Sequence, residues 1–354
     1  MKCNFPSPLC SAIGLYAALL IIGFGATAQA QSNEQAAGID LIGINMSGAN
    51  FAPHVTPGKL GTNYFYPEKK HFKYYAEKNI RLIRFPFIWE RIQHDLNKGL
   101  NFDQIRLLKK TLDLAAKHNQ KIVLDMHNYA RYKGKLIGSP QVPYEAYASV
   151  WRKIAETFKG HPALFGYDIM NEPHSTKGLW PAAAQAAVDA IREVDTDTLI
   201  FVEGDRWAST FHWRKVNEDF LIEDPANKLI YEGHVYFDKD YSGRYVGDET
   251  VDPSLGVERV RPFIEWLKEH RLKGFLGEYG VPGQSESMLV AMDNMLSYLN
   301  ENCVPSAYWA GGPGWGDYVL AIEPTKGVDR PQMEVLQKNI SNTCTEFGPT
   351  PSPR

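Results

Sequence analysis

Charge of one sign is not in excess in this 354-residue chain, where 38 lysines and arginines meet 41 aspartates and glutamates. So close a balance offers no electrostatic footprint for nucleic acid or an anionic membrane, and neither is expected as a partner. Cysteine is scarce, four in all, and Cys3 and Cys10 fall within the first thirty residues. Beyond those residues no apolar run is long enough to cross a bilayer. Among the ten histidines there is no H-x-x-x-H or H-x-H spacing. The chain therefore lacks a metal-ligand signature, and no metal or cofactor is expected. It also shows no linker between modules and no second module.

What is present begins with an export signal. Lys2 supplies a positive start, Ala12–Ala26 an apolar stretch, and Ala28-Gln29-Ala30 a small-residue cleavage site. An uncleaved anchor is the alternative, but about fifteen apolar residues are short for a span. Residues 1–30 thus read as a signal peptide and 31–38 as a short linker. The mature protein is expected to be secreted, extracellular or periplasmic, with no membrane attachment after cleavage. In that oxidising compartment Cys303 and Cys344 are left as a pair, either a disulfide or two buried free thiols.

Eight apolar strand-like runs follow: Ile39–Asn45, Ile80–Pro86, Lys121–Met126, Leu164–Met170, Leu199–Glu203, Leu229–His234, Gly274–Leu276 and Ala307–Ala310. Between them lie helical patterns with i, i+3, i+4 apolar spacing, such as Ile105–His118, Tyr144–Lys159 and Val257–His270. Only Trp207–Phe220 is ambiguous, with room for a short helix. Continuous apolar strands alternating with helices mean a parallel sheet covered by helices. Eight units fit a single-domain α/β fold, the (β/α)8 TIM barrel, over residues 39–346. A helical repeat is the rival, but the strand cores are too rich in Ile, Val, Phe and Tyr. Residues 347–354 hold three prolines and are expected to fray. In such a barrel Cys303, after the seventh helix, and Cys344, after the eighth, share the rim opposite the chemistry, which favours the disulfide.

Chemistry in this fold gathers where strands end. The longest loops there are expected after strands one, three and six. Glu172, in Asn171-Glu172-Pro173, and Glu278, in Gly277-Glu278-Tyr279-Gly280, each follow a buried run. Alone, each reads as a surface carboxylate at a turn. The same rim also collects Arg84, His127, Tyr129, Glu203, Trp207, His234, Tyr236 and Trp309. Two carboxylates on one rim are what glycoside hydrolysis needs, one as proton donor and one as nucleophile. A nucleophile must stay ionised, so Arg84 and Tyr236 are expected beside Glu278. Its charge should then raise the pKa of the acid, Glu172. Asn171 suits the sugar 2-hydroxyl. Trp309, Trp207 and Tyr129 suit stacking on sugar rings, and the two histidines suit hydroxyls or the orienting of carboxylates.

The ordered set Arg84, His127, Asn171-Glu172, His234-x-Tyr236, Glu278 and Trp309 resembles glycoside hydrolase family 5. The strings Asp125–Tyr132, Met170–His174, His234–Asp238 and Asp317–Leu320 are similar to subfamily 5, the secreted endo-β-1,4-glucanases. The resemblance runs from about Gly43 to Pro324 and departs at the Gly311–Gly316 loop, whose course the motif does not give. It implies a retaining cellulase acting on a β-1,4-linked glucan, with Glu172 as acid/base, Glu278 as nucleophile and the other six positions on substrate. A β-mannanase of the same family and a non-catalytic carbohydrate-binding barrel are the alternatives. A monomer is expected.

Overall fold

The computed structural model describes residues 38–247 and 249–349. The signal peptide, most of the 31–38 linker and residues 350–354 lie outside the described residues. Eight strands form a closed barrel: β1 (Ile42–Met46), β2 (Leu82–Phe87), β3 (Lys121–Met126), β4 (Leu164–Asp168), β5 (Leu199–Glu203), β6 (Leu229–Tyr236), β7 (Gly274–Gly280) and β8 (Ser306–Gly311). Every neighbouring pair is parallel, and β8 closes on β1 with Ile42 opposite Ser306. Around it run α1 (Lys69–Glu77), α2 (Phe102–Lys117), α3 (Tyr144–Phe158), α4 (Trp180–Arg192), the single turn α5 (Trp213–Val216), α6 (Leu255–His270), α7 (Glu286–Glu301) and α8 (Pro331–Lys338). The ambiguous segment after β5 thus holds one helical turn. The (β/α)8 expectation is met.

Strand residues two apart face the same side, and the barrel interior is accordingly layered. Leu82, Val123, Phe201, Ile230, Phe275 and Ala307 make one apolar cluster. Two residues further along five of these strands stand Arg84, Asp125, Glu203, Glu232 and Gly277, and Asp168 occupies the same level on β4. The lower half of the interior is oil-like, and the half beneath the strand ends is charged. Tryptophan divides in the same spirit. Trp89, Trp151, Trp180, Trp213 and Trp266 are fully buried in packing. That leaves Trp207, Trp309 and Trp315 for other work.

Phe347 corrects the expectation that the tail frays from its first residue. It is 8% exposed and joins the lower apolar cluster, packing on Phe165 and Phe201. Gly348 accepts from Gly274 N–H at 2.7 Å and donates to the Cys303 carbonyl at 2.7 Å. A ring that would be exposed in water instead covers the open end of the barrel. A fourth long loop, 312–330 after β8, joins the three expected ones.

Cys303 and Cys344 are disulfide-bonded, with Cα atoms 5.7 Å apart across 41 residues. Both lie at the end of the barrel away from the βα loops. Closing a loop of that length stabilises a fold by about 3–4 kcal/mol in the chain-entropy view. Cys303→Ser with Cys344→Ser is expected to lower chemical-denaturation stability by about that amount while leaving kcat at 25 °C within about twofold. Loss of activity without loss of stability contradicts this placement.

Candidate active site

Arg84 anchors the site from below. It lies inside the barrel with no exposed surface, so the expectation of an arginine on the rim is corrected. Its guanidinium reaches Asp125 at 3.0 Å, Asp168 at 2.7 Å, Glu203 at 2.9 Å and Glu232 at 2.9 Å. It also donates to the side-chain oxygens of Asn45 at 3.0 Å and Asn171 at 2.9 Å. These four acids are fully buried. Glu232 fits only because residue 277 is glycine: a Cβ there would lie 1.6 Å from Glu232 Oε1.

Glu278 hangs over this cage by way of a bulge. Gly233 pairs with Leu276, but the next residue, His234, pairs with Glu278. The extra residue, Gly277, shifts the phase of β7 and re-aims Glu278 inward. Its Oε1 accepts from the Tyr236 hydroxyl. Its Oε2 has no hydrogen-bond partner among the described residues and lies 3.7 Å from Arg84 Nη1 and 3.9 Å from His234 Nδ1. Glu172 comes off the end of β4 in left-handed backbone, with φ +46°. Its N–H donates to Glu203 Oε2 at 2.7 Å, and its Oε1 accepts from His234 Nδ1 at 3.0 Å. One donor atom from each of Glu172, His234 and Glu278 lies within 4.8 Å of the other two.

Electrostatics differ from the simplest expectation. Burial pushes the Glu278 carboxyl up, and the Glu172 charge adds to this, against the opposing pull of His234 and Arg84. Arg84 is thus not its dedicated counter-ion, because four other acids share that guanidinium. Burial likewise raises Asp125, to about 7, and holds Asp168 and Glu203 well above the usual carboxylate range. His234 is drawn down by burial, but the charges of Glu203 and Glu278 and its bonds to Glu172 and Glu203 outweigh this and keep it an imidazolium. Burial takes His127 the other way, down to about 3. Its neutral ring donates from Nδ1 to Asp125 at 2.7 Å and stacks on Trp309 at 5.5 Å.

A cleft of about 600 Å³ opens above the pair. His127, Tyr129, Glu172, Trp207, His234, Tyr236, Glu278 and Trp309 all line it. Arg84 and Asn171 do not; both are buried beneath, Asn171 with its Nδ2 unpartnered among the described residues. A hollow of about 480 Å³, bordered by Arg131 and His174, shares His127 and Tyr129 with the cleft, so the groove runs on past the carboxylates. Trp207 is 48% exposed and lies flat on His174 at 4.5 Å. Phe211 is 43% exposed and stacks on Tyr241 at 5.4 Å, which in turn covers Arg259. Arg206, Trp207 and Ala208 are consecutive left-handed residues, as are Tyr129 and Ala130. Such backbone is costly and gathers at working sites. The Gly311–Gly316 loop turns back on itself, with Trp315 Nε1 donating to the Gly311 carbonyl at 3.0 Å and its ring edge-on to Trp309 at 5.5 Å.

Sequence reasoning missed Asp168, Glu232, Phe211 and Tyr241, and gave Asp125 and Glu203 no role. The one local signal is position: Asp125, Glu203 and Glu232 each stand two residues beyond an inward apolar residue, whereas Asp168 follows Gly166.

This cage sets a pH dependence. Asp125, Asp168, Glu203, Glu278 and His234 all keep protons in the fold at pH values where the unfolded chain would lose them, while His127 does the reverse. Above about pH 6.5 His127 is mostly neutral in both states, so the proton-retaining groups dominate. The folded state then binds more protons, and stability falls as pH rises, by about 1.4 kcal/mol per pH unit for each excess proton. Melting temperatures measured from about pH 6.5 to about 9 should fall steadily. A rise over that range contradicts the cage as described.

The family model described as cellulase, glycosyl hydrolase family 5, matches residues 33–314. A probable endo-beta-1,4-glucanase B of Aspergillus oryzae is 34% identical over 295 residues, covering 81% of this chain and 86% of the relative. Among solved structures, the cellobiose complex of Pseudomonas stutzeri endoglucanase Cel5A superposes with a TM-score of 0.88 at 68% identity, covering 90% of this chain and 99% of that one. The endo-beta-1,4-glucanase Xac0029 of Xanthomonas axonopodis pv. citri does so with 0.81 at 33% identity, covering 85% and 98%. With the carboxylate pair, the cleft and these likenesses together, the chain belongs to the cellulase family, glycosyl hydrolase family 5.

Proposed function

We propose that Glu172 is the acid/base and Glu278 the nucleophile of a retaining double displacement on β-1,4-linked glucan. The enzyme is a glycoside hydrolase, an endo-β-1,4-glucanase. The observation that supports retention is the closeness of the pair, with donor atoms within 4.8 Å, and the roles are read from their partners, Tyr236 on Glu278 and His234 on Glu172. Retaining enzymes hold their carboxyls about 5–5.5 Å apart, whereas inverting ones need about 6.5–9.5 Å to admit a water.

The steps follow from the geometry. Tyr236 occupies Glu278 Oε1 and leaves Oε2 free to attack the anomeric carbon. As the C–O bond to the leaving sugar breaks, Glu172 gives that oxygen its proton, and a glycosyl ester forms on Glu278. The negative charge that results on Glu172 is met by the His234 imidazolium at 3.0 Å. In the second half Glu172 takes a proton from water, whose oxygen attacks the same carbon and releases Glu278 as carboxylate. The unpartnered Asn171 Nδ2 suits the 2-hydroxyl, a contact that strengthens toward the oxocarbenium-like transition state. Trp309 supplies the floor beside the reacting sugar, and Tyr129, Trp207 and Phe211 supply plates along a groove that continues past the pair. A through-going groove supports cutting within a chain. That the Pseudomonas stutzeri relative holds cellobiose supports a gluco-configured substrate.

The strings Asp125–Tyr132, Met170–His174, His234–Asp238 and Asp317–Leu320 favour subfamily 5, and a monomer is the default state. The Cys303–Cys344 bond supports an exported protein, and the Ala28-Gln29-Ala30 string supports cleavage of its signal after Ala30.

Proton NMR of freshly cleaved cello-oligosaccharide should show the β-anomer first; the α-anomer first overturns the double displacement. Glu172→Ala with an activated aryl glycoside and azide should yield a β-glycosyl azide. Glu278→Ala should condense sugars from an α-glycosyl fluoride without hydrolysing the product. Exchanged outcomes exchange the roles. Reducing-sugar release should be greater on carboxymethylcellulose than on galactomannan, and the opposite order makes the enzyme a mannanase.

A further inference from the structure

Glu203 closes β5, is fully buried and does not line the cleft. Three donors nonetheless converge on its two oxygens. Oε2 accepts from the Glu172 backbone N–H at 2.7 Å, and Oε1 accepts from Arg84 Nη2 at 2.9 Å and faces His234 Nε2 at 3.3 Å. His234 in turn donates from its other nitrogen to the Glu172 carboxyl. Trp180 Nε1 fixes the Glu203 carbonyl at 2.6 Å. The residue so held, Glu172, is in left-handed backbone that a non-glycine residue adopts only when its surroundings impose it.

We propose that Glu203 is a positioning residue for the acid/base, gripping Glu172 by its backbone and, through His234, by its carboxyl. The inference rests on Glu172 being the acid/base. A glutamine at 203 keeps the shape but brings one acceptor oxygen in place of two. Its amide nitrogen then opposes at least one of the three donors, and the grip on Glu172 loosens. In kcat/KM, which reports the steps up to the glycosyl ester, an acid that has drifted matters only when the leaving group needs a proton. Were Glu203 simply one of four acids around Arg84, its loss would lower stability, or activity on all substrates alike.

The test compares kcat/KM for Glu203→Gln and Glu172→Ala on cellotetraose and on 2,4-dinitrophenyl β-cellobioside, whose leaving group departs unprotonated. Melting temperatures are recorded alongside. Glu172→Ala should lose far more on cellotetraose than on the activated substrate. Glu203→Gln should show the same split, losing about a hundredfold on cellotetraose, the scale of a misplaced acid, and less than about fivefold on the dinitrophenyl glycoside. If Glu172→Ala splits and Glu203→Gln does not, the role given to Glu203 is wrong. If Glu172→Ala itself shows no split, the acid/base assignment falls instead. Should the glutamine variant not fold, Glu203→Asp keeps the carboxyl group and its two oxygens but withdraws them by one methylene. It is expected to split in the same way, and an equal loss on both substrates overturns the proposal.

Discussion

One buried guanidinium holds this active site together. Arg84 stands on the barrel axis with Asp125, Asp168, Glu203 and Glu232 around it, and both candidate catalytic carboxylates rest on that arrangement. A lone charge in such a place would cost several kcal/mol, and removing one partner from a buried ion cluster strands the others. With two cations, Arg84 and His234, among at least five buried acids, the cage can exist only if some acids stay protonated. It is therefore rigid and fully committed. Its upper oxygens, not the loops, define where Glu172 and His234 sit.

The two glutamates become different because the backbone treats them differently. A one-residue bulge turns Glu278 inward, against Tyr236 and above Arg84. A left-handed residue turns Glu172 toward the cleft and His234. One carboxyl keeps an oxygen without a hydrogen-bond partner among the described residues, while Tyr236 holds its other oxygen. The second carboxyl has a charged imidazole at hand, which suits the proposed proton donor. That division of labour follows from geometry before any substrate arrives.

Much of this was legible in the sequence, and the losses have physical causes. The barrel could be read because eight apolar strands alternate with amphipathic helices. Glu172 and Glu278 could be found because each follows a buried run. Arg84 was placed too high, since a strand pattern gives a residue its face but not its depth in the barrel. The inward direction of Glu278 rests on the bulge at Gly277, and no local signal marks which glycine in a strand adds the extra residue. Strand seven reads as ending at Leu276 for the same reason, although it runs to Gly280. Asp168 and Glu232 were hidden by scale: each is a single acid in an apolar run, and its meaning appears only when the strands close and bring all four to one arginine. Phe347 was discounted because prolines follow it, yet an uncovered barrel end attracts an aromatic ring.

The most direct test of the account is to trap the enzyme with 2,4-dinitrophenyl 2-deoxy-2-fluoro-β-cellobioside and map the adduct by peptide mass spectrometry. The fluorine slows release of the glycosyl ester, and the activated leaving group lets it form. The arrangement above Arg84 requires a single cellobiosyl ester, on Glu278. An adduct on Glu172, or inactivation with no covalent label, would contradict it.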